Sequence, residues 1–163
     1  MAAPLYIACI LGHSDAISLL LADPRTDASK VNIDSPNISA EVRTVFKAAI
    51  FKAKIMQALK SNKDNDNLKN EFANLPEDVK PELVKQLQQD IKELAAKAHT
   101  SNIKKIISVF PEDQRMAYFR DVVKDTIRCC YQQKKVAKVQ IILGAFKDED
   151  RRKLLENQAQ ILQ

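Results

Sequence analysis

The side chains best equipped for covalent chemistry are three thiols, Cys9, Cys129 and Cys130, and two imidazoles, His13 and His99. A thiol nucleophile needs a base within hydrogen-bond reach and donors for the charge that develops on its substrate. No Gly-rich elbow supplies those donors. Nothing in the chain order places either His beside the Cys pair, and Cys130 falls in the apolar register of a helix, the position of a core thiol. Neighbouring Cys129 and Cys130 do not readily close a disulfide with each other, so the three thiols are expected to stay reduced, in the cytoplasm or another reducing compartment. The acidic groups Asp64-Asn65-Asp66 and Asp148-Glu149-Asp150 lack the Gly and the distal Glu of a calcium loop, and read as a solvated loop and as acids at a helix start. Neither a GxGxxG nor a GxxxxGK[ST] phosphate loop is present. The expectation is no catalytic residue, no metal ligand, no cofactor, and a chain that is not an enzyme.

The basic runs offer binding rather than catalysis. Lys104-Lys105, Lys134-Lys135-Val136-Ala137-Lys138 and Arg151-Arg152-Lys153 recur at similar places in successive helical segments. The candidates for contact with a partner are therefore Lys104, Lys105, Lys134, Lys135, Lys138, Arg151 and Arg152, lined along one edge of a stack of repeats. Such an edge suits RNA, another polyanion or an acidic protein surface. Few aromatics interleave to stack on bases, and solubilising Lys on solvated faces is the plainer reading. The net charge of +5 comes from 26 basic and 21 acidic residues, with 9 against 8 over residues 1–75 and 17 against 13 over residues 76–163.

These residues must be carried by helices. With 163 residues, 45% apolar, 2 Gly and no Trp, the chain can bury a core but lacks the turn residues of a β protein. An amphipathic helix is predicted from Ser39 to about Lys60 on Val42, Val45, Phe46, Ala49, Ile50, Ala53, Met56 and Leu59, followed by a loop over Ser61–Asn67. A shorter helix carries Leu68, Phe72 and Leu75. Pro76-Glu77-Asp78 opens a long helix on Val79, Leu83, Val84, Leu87, Ile91, Leu94, Ala95 and Ala98, with Thr100-Ser101 capping its successor on Ile103, Ile106, Ile107 and Phe110. Pro111-Glu112-Asp113 opens another on Met116, Phe119, Val123, Ile127 and Cys130, then a short one on Val136, Val139, Ile142, Leu143 and Phe146. Asp148-Glu149-Asp150 leads into Leu154, Leu155, Ile161 and Leu162.

Leu75 to Phe110 is 35 positions and Phe110 to Phe146 is 36. That rhythm of a long and a short helix reads as an all-α helical-hairpin array, an α-solenoid. Its units fall at about 39–75, 76–110 and 111–146, with a final half-unit at 147–163. No run of about 18 apolar residues crosses a membrane.

The N-terminal stretch has a different signature. Pro4 suits the first turn of a short helix running to about Leu11, Gly12 ends it in a left-handed conformation, and Ser14 caps a second helix with Ile17, Leu20 and Leu21 on one side. Ala3-Pro4-Leu5-Tyr6-Ile7-Ala8, Gly12-His13, Ala16-Ile17-Ser18-Leu19-Leu20-Leu21 and the loop residues Asp27 and Asn32 together resemble an ankyrin repeat over residues 1–33. Its repeat-defining positions here are Pro4, Leu5, Ala8, Gly12, His13, Leu20 and Leu21. Ala3 stands where the family has Thr and Tyr6 where it has His, a departure expected of a terminal or divergent repeat. The resemblance implies a protein–protein interaction module or scaffold, with His13 as the family's turn histidine. It also implies a C-terminal piece of a longer ankyrin-repeat protein, because Leu5, Ile7 and Ala8 would otherwise present a bare apolar face. Upstream repeats or dimerisation with a second copy would cover that face. The LLLADPRTD style of repeat is similar to ankyrin proteins of intracellular bacteria and protists, which suggests an effector acting in the host cytosol.

Overall fold

The computed structural model describes residues 3–23, 25–61 and 66–156. Its helices are α1 (Ala3–Leu11), α2 (Ser14–Ala22), α3 (Ala40–Ser61), α4 (Asp66–Ala73), α5 (Val79–Ala96), α6 (Thr100–Ser108), α7 (Arg115–Gln132), α8 (Val136–Leu143) and α9 (Asp148–Leu155). Single 3-10 turns lie at Ala28–Lys30 and Glu112–Gln114, and no strand occurs among the described residues, so the chain is all-α as its composition requires. Residues 62–65 of the expected loop lie outside the described residues, as do 157–163 with Ile161 and Leu162. The chain divides into two compact units, Met1–Ser61 with Asn74–Gln86 and Asn62–Ala73 with Leu87–Gln163. α5 thus begins in the first unit and ends in the second.

In the first unit, α1 stops because Gly12 takes φ +73°. Its N–H returns to Cys9 O at 3.3 Å and that of His13 to Ala8 O at 3.0 Å, the two bonds of a Schellman turn. Ser14 is already inside α2, and the capping position falls to His13, which makes no side-chain cap bond. Leu5, Ala8 and Cys9 then meet Ile17 and Leu21 of α2 and Val42, Phe46 and Ala49 of α3 in one core. Val31 and Ile38, at the two ends of a loop that reads as polar, complete it. Ser39 stands just before α3 and caps it, its Oγ accepting from Val42 N–H at 3.2 Å. α3 buries more than one stripe: Ala48, Phe51 and Ile55 are covered in addition to Val42, Phe46 and Ala49, while Val45, Ile50, Ala53, Met56 and Leu59 are half-buried. The start of α5 is tied to α3 through Thr44 Oγ1, which donates to Asp78 Oδ2 at 3.2 Å.

In the second unit, Phe72 of α4 and Phe119 of α7 stand edge-on to Phe110, at 4.5 and 4.8 Å between ring centres. Around these rings α6 packs on α8, and α7 on α8 and α9. The Pro-Glu-Asp triplets do not begin their helices. Pro76 accepts from Val79 N–H at 3.0 Å and Pro111 from Gln114 N–H at 2.9 Å, so each opens a single lead-in turn before α5 and α7. The fixed φ and absent N–H of Pro suit the first position of such a turn equally well. Thr100 and Ser101 likewise lie within α6, whose capping residue is His99.

The Schellman geometry recurs without glycine. Ala98 sits at φ +56° and Lys134 at φ +59°. Their N–H groups reach Ala95 O and Tyr131 O, both at 3.0 Å, and the next N–H groups, of His99 and Lys135, reach Leu94 O and Cys130 O at 2.9 and 2.8 Å. These two turns are 36 positions apart. The same turn geometry thus joins helices at Gly12, Ala98 and Lys134, although the residues at the turn differ.

Candidate interaction surface

The cations expected to form a contact edge take different roles. Lys138 Nζ donates to Ala98 O at 2.8 Å, closing the turn after α5. Arg151 Nε donates to Leu143 O at 2.9 Å and to Phe146 O at 2.7 Å, while its Nη1 reaches Asp148 Oδ1 at 3.0 Å. Lys104 lies over the end of α8, where a methyl added at Gly144 would meet its Nζ at 3.1 Å, a favourable place for an ammonium beside helix carbonyls. Lys105 is half-buried, whereas Lys134, Lys135 and Arg152 face water. Lys138 and Arg151 thus serve the fold's own backbone, and Lys104 lies against the end of α8.

One cation belongs to the same set and escapes a reading by charge runs. Arg115 Nε donates to Phe110 O at 2.9 Å, Nη1 to Ala145 O at 2.7 Å and Nη2 to Ser108 O at 3.2 Å. Burial pushes its pKa down from the usual range, and the three carbonyls offset the cost of holding the charge there. Arg115 follows Phe110 as Arg151 follows Phe146, five positions later in each case. A Phe-x4-Arg spacing repeated at an interval of 36 is the signal that could have found both clamps.

The apolar surface is concentrated on the first helix pair. Ile7 is 54% exposed, Leu11 62% and Leu19 75%, with Tyr6 and Ile10 also open to solvent. The cause is local: α1, APLYIACIL, carries no charge and is apolar nearly all round, so packing one side against α2 and α3 leaves the other bare. The bare face differs from the one expected, since Leu5 and Ala8 are buried in the core and Ile7 remains outside with Tyr6, Ile10 and Leu11. Leu20 is half-buried and Leu21 buried. Beyond the end of α2, Arg25 Nη2 donates to Asp23 Oδ2 at 2.7 Å. That side-chain bond, with the Arg25 N–H on the same carboxylate, holds Asp23 down to about 2.

The groups considered for catalysis or metal binding lie elsewhere and apart in role. Cys9 and Cys130 are buried and Cys129 half-buried, all three free. Burial pushes the Cys9 and Cys130 thiols up, the opposite of an activated nucleophile. His13 and His99 are exposed turn residues ahead of α2 and α6. Among the described residues no three His, Cys, Asp or Glu side chains gather as metal ligands, and Asp64 and Asn65 lie outside those residues. Asp148, Glu149 and Asp150 occupy the first turn of α9, as acids suited to a helix start. No described helix is long and apolar enough to cross a membrane. No protein-family model matches the chain, and neither a curated protein nor a solved structure shows significant similarity to it.

Proposed function

We propose that this chain is a protein–protein interaction module whose docking surface is the outer face of α1 and α2. The observation that carries this is the cluster of exposed Tyr6, Ile7, Ile10, Leu11 and Leu19 on a helix pair whose first member bears no charge. Single exposed apolar residues are ordinary, but several together on one short helix pair mark a surface for association. On this reading α1–α2 is an ankyrin-type repeat with its outer face open to a neighbouring repeat, a second copy or another protein. The Schellman turn at Gly12-His13 and the burial of Leu5, Ala8 and Leu21 support it. The matching turns at Ala98 and Lys134 support the further proposal that the later helix pairs are repeats of an α-solenoid.

The test is a quantitative co-purification comparing the wild type with Leu11→Glu/Leu19→Glu and with Lys134→Glu/Lys135→Glu. Loss of specific partners only in the first variant supports the docking face, and loss only in the second supports a basic α-solenoid that binds RNA or another polyanion. That alternative rests chiefly on the exposed Lys134, Lys135 and Arg152, because Lys138 and Arg151 are bonded to backbone carbonyls and Lys104 is half-buried. Binding to a random polyanion that collapses with salt would mark it.

A further inference from the structure

Residues 94–111 and 126–147 contain no Asp or Glu, although 21 acids are spread over the rest of the chain. The fold joins these two segments, since α6 packs on α8. Four of their lysines surround α8. Lys134 and Lys135 stand just ahead of its first turn and face water, with no ion-pair partner among the described residues. Lys138 Nζ donates to Ala98 O at 2.8 Å, and Lys104 of α6 holds its Nζ beside Gly144 at the far end of the helix. Like charges gathered in this way repel one another, and neither helix carries a carboxylate to offset them.

Between these cations α8 presents an uncharged face. Val136, Ala137, Gln140, Ile141 and Gly144 are exposed, the last four at the i, i+3, i+4 and i+7 spacing of one helical side, while Val139, Ile142 and Leu143 are buried. Val136 is 52% exposed and Ile141 36%. Five positions apart, they stand about 7.5 Å from each other along the helix axis. The face is therefore an outward ridge with aliphatic side chains along it and ammonium groups around it.

We propose that the outer face of α8 binds an anionic lipid surface, the headgroup layer of a bilayer that contains an acidic phospholipid. The lysines answer its negative potential and the two aliphatic side chains enter between the headgroups, two weak attractions that act together. A nucleic acid would use the charge but leave Val136 and Ile141 against water, and the face holds no aromatic side chain to stack on bases. A partner helix would need a groove, whereas this face is the ridge of a single helix. The contact is separate from the apolar face of α1–α2, because those two helices hold no Lys or Arg.

The test is cosedimentation of the full chain with vesicles of phosphatidylcholine alone and with vesicles that are about one third phosphatidylserine, at physiological ionic strength. Saturable binding to the acidic vesicles only is expected, weakening as salt is raised. Lys134→Gln/Lys135→Gln should weaken it about thirtyfold and Val136→Ser/Ile141→Ser about tenfold. All four side chains are exposed, so both variants should keep the helical circular dichroism of the wild type. Leu11→Glu/Leu19→Glu should bind the acidic vesicles as the wild type does. Absence of that binding, equal binding to both vesicle types, or binding that survives Val136→Ser/Ile141→Ser undiminished would overturn the proposal. Loss of binding in Leu11→Glu/Leu19→Glu would overturn it by moving the contact to α1–α2. Tighter binding to a single-stranded RNA oligonucleotide, unaffected by the serine pair, would overturn it in favour of a nucleic-acid surface.

Discussion

The α1–α2 pair and the α7–α8 pair turn the chain in the same manner, yet they differ at the turn residue and at the surface they leave. Gly12 reaches its positive φ without steric cost; Lys134 holds nearly the same conformation with a Cβ, at a cost of about 1 kcal/mol. Around α8 the backbone is fastened by cations, with Arg115 on Ala145 O, Arg151 on Leu143 O and Lys138 on Ala98 O. What α8 leaves exposed, Val136 and Ile141, lies among Lys134, Lys135 and Lys138, while α1 exposes its apolar side chains with no charge on the helix. Turn geometry is thus a property of the backbone that several sequences can reach. The surface beside the turn separates a fastened helix pair from an open one.

Removing a clamp should break the comparison most severely. Arg115→Met keeps the aliphatic stem but strands three carbonyls, and is expected to cost about 3 kcal/mol in urea denaturation. A cost below about 1 kcal/mol would show that those carbonyls find water instead. Next in size is the exchange of turn residues. Gly12→Ala meets no atom within 4 Å, so its expected loss of about 1 kcal/mol is backbone strain alone. Lys134→Gly should gain about 1 kcal/mol, because an exposed side chain is removed from a strained φ. Ala98→Gly should gain less, since Ala98 is buried and its methyl packing is lost. Equal responses at Lys134 and Ala98 would mean that strain alone governs both.

The smallest effect is electrostatic. Asp23, held at about 2, lies below the usual carboxylate value of about 3.9, so its contribution to stability is complete above the latter and disappears as pH falls toward the former. Arg25→Ala should raise the Asp23 pKa part of the way toward the usual value, since the backbone N–H at position 25 stays on the carboxylate, and so reduce that acid-side dependence, leaving stability at neutral pH nearly unchanged for so exposed a pair. Carboxyl NMR titration reads the shift directly, and an unmoved Asp23 would rule the Arg25 side chain out as its cause.

Periodicity made most of the helices legible. The apolar spacing over Ser39–Lys60 located α3 within a residue, and Gly12 announced the first turn. The equivalent turns at Ala98 and Lys134 were hidden because neither Ala nor Lys signals a left-handed residue; only context forces them there. Val31 and Ile38 were hidden by the polar residues between them, although they bury as fully as helix positions. The face of α1 could not be chosen, because a nine-residue helix apolar nearly all round has no preferred side until α2 and α3 pack on it. Arg115 drew no notice and Arg151 read as a cation for partner contact, because charge alone does not reveal a carbonyl within reach.

The outer face of α1–α2 as a docking surface is tested most directly by hydrogen exchange on the chain before and after it is saturated with a co-purified protein partner. Slowed exchange confined to peptides spanning Tyr6–Leu19 is the expected result. Protection of Lys134–Ile141 with none over Tyr6–Leu19 would contradict it and move the contact to the basic segment at the start of α8.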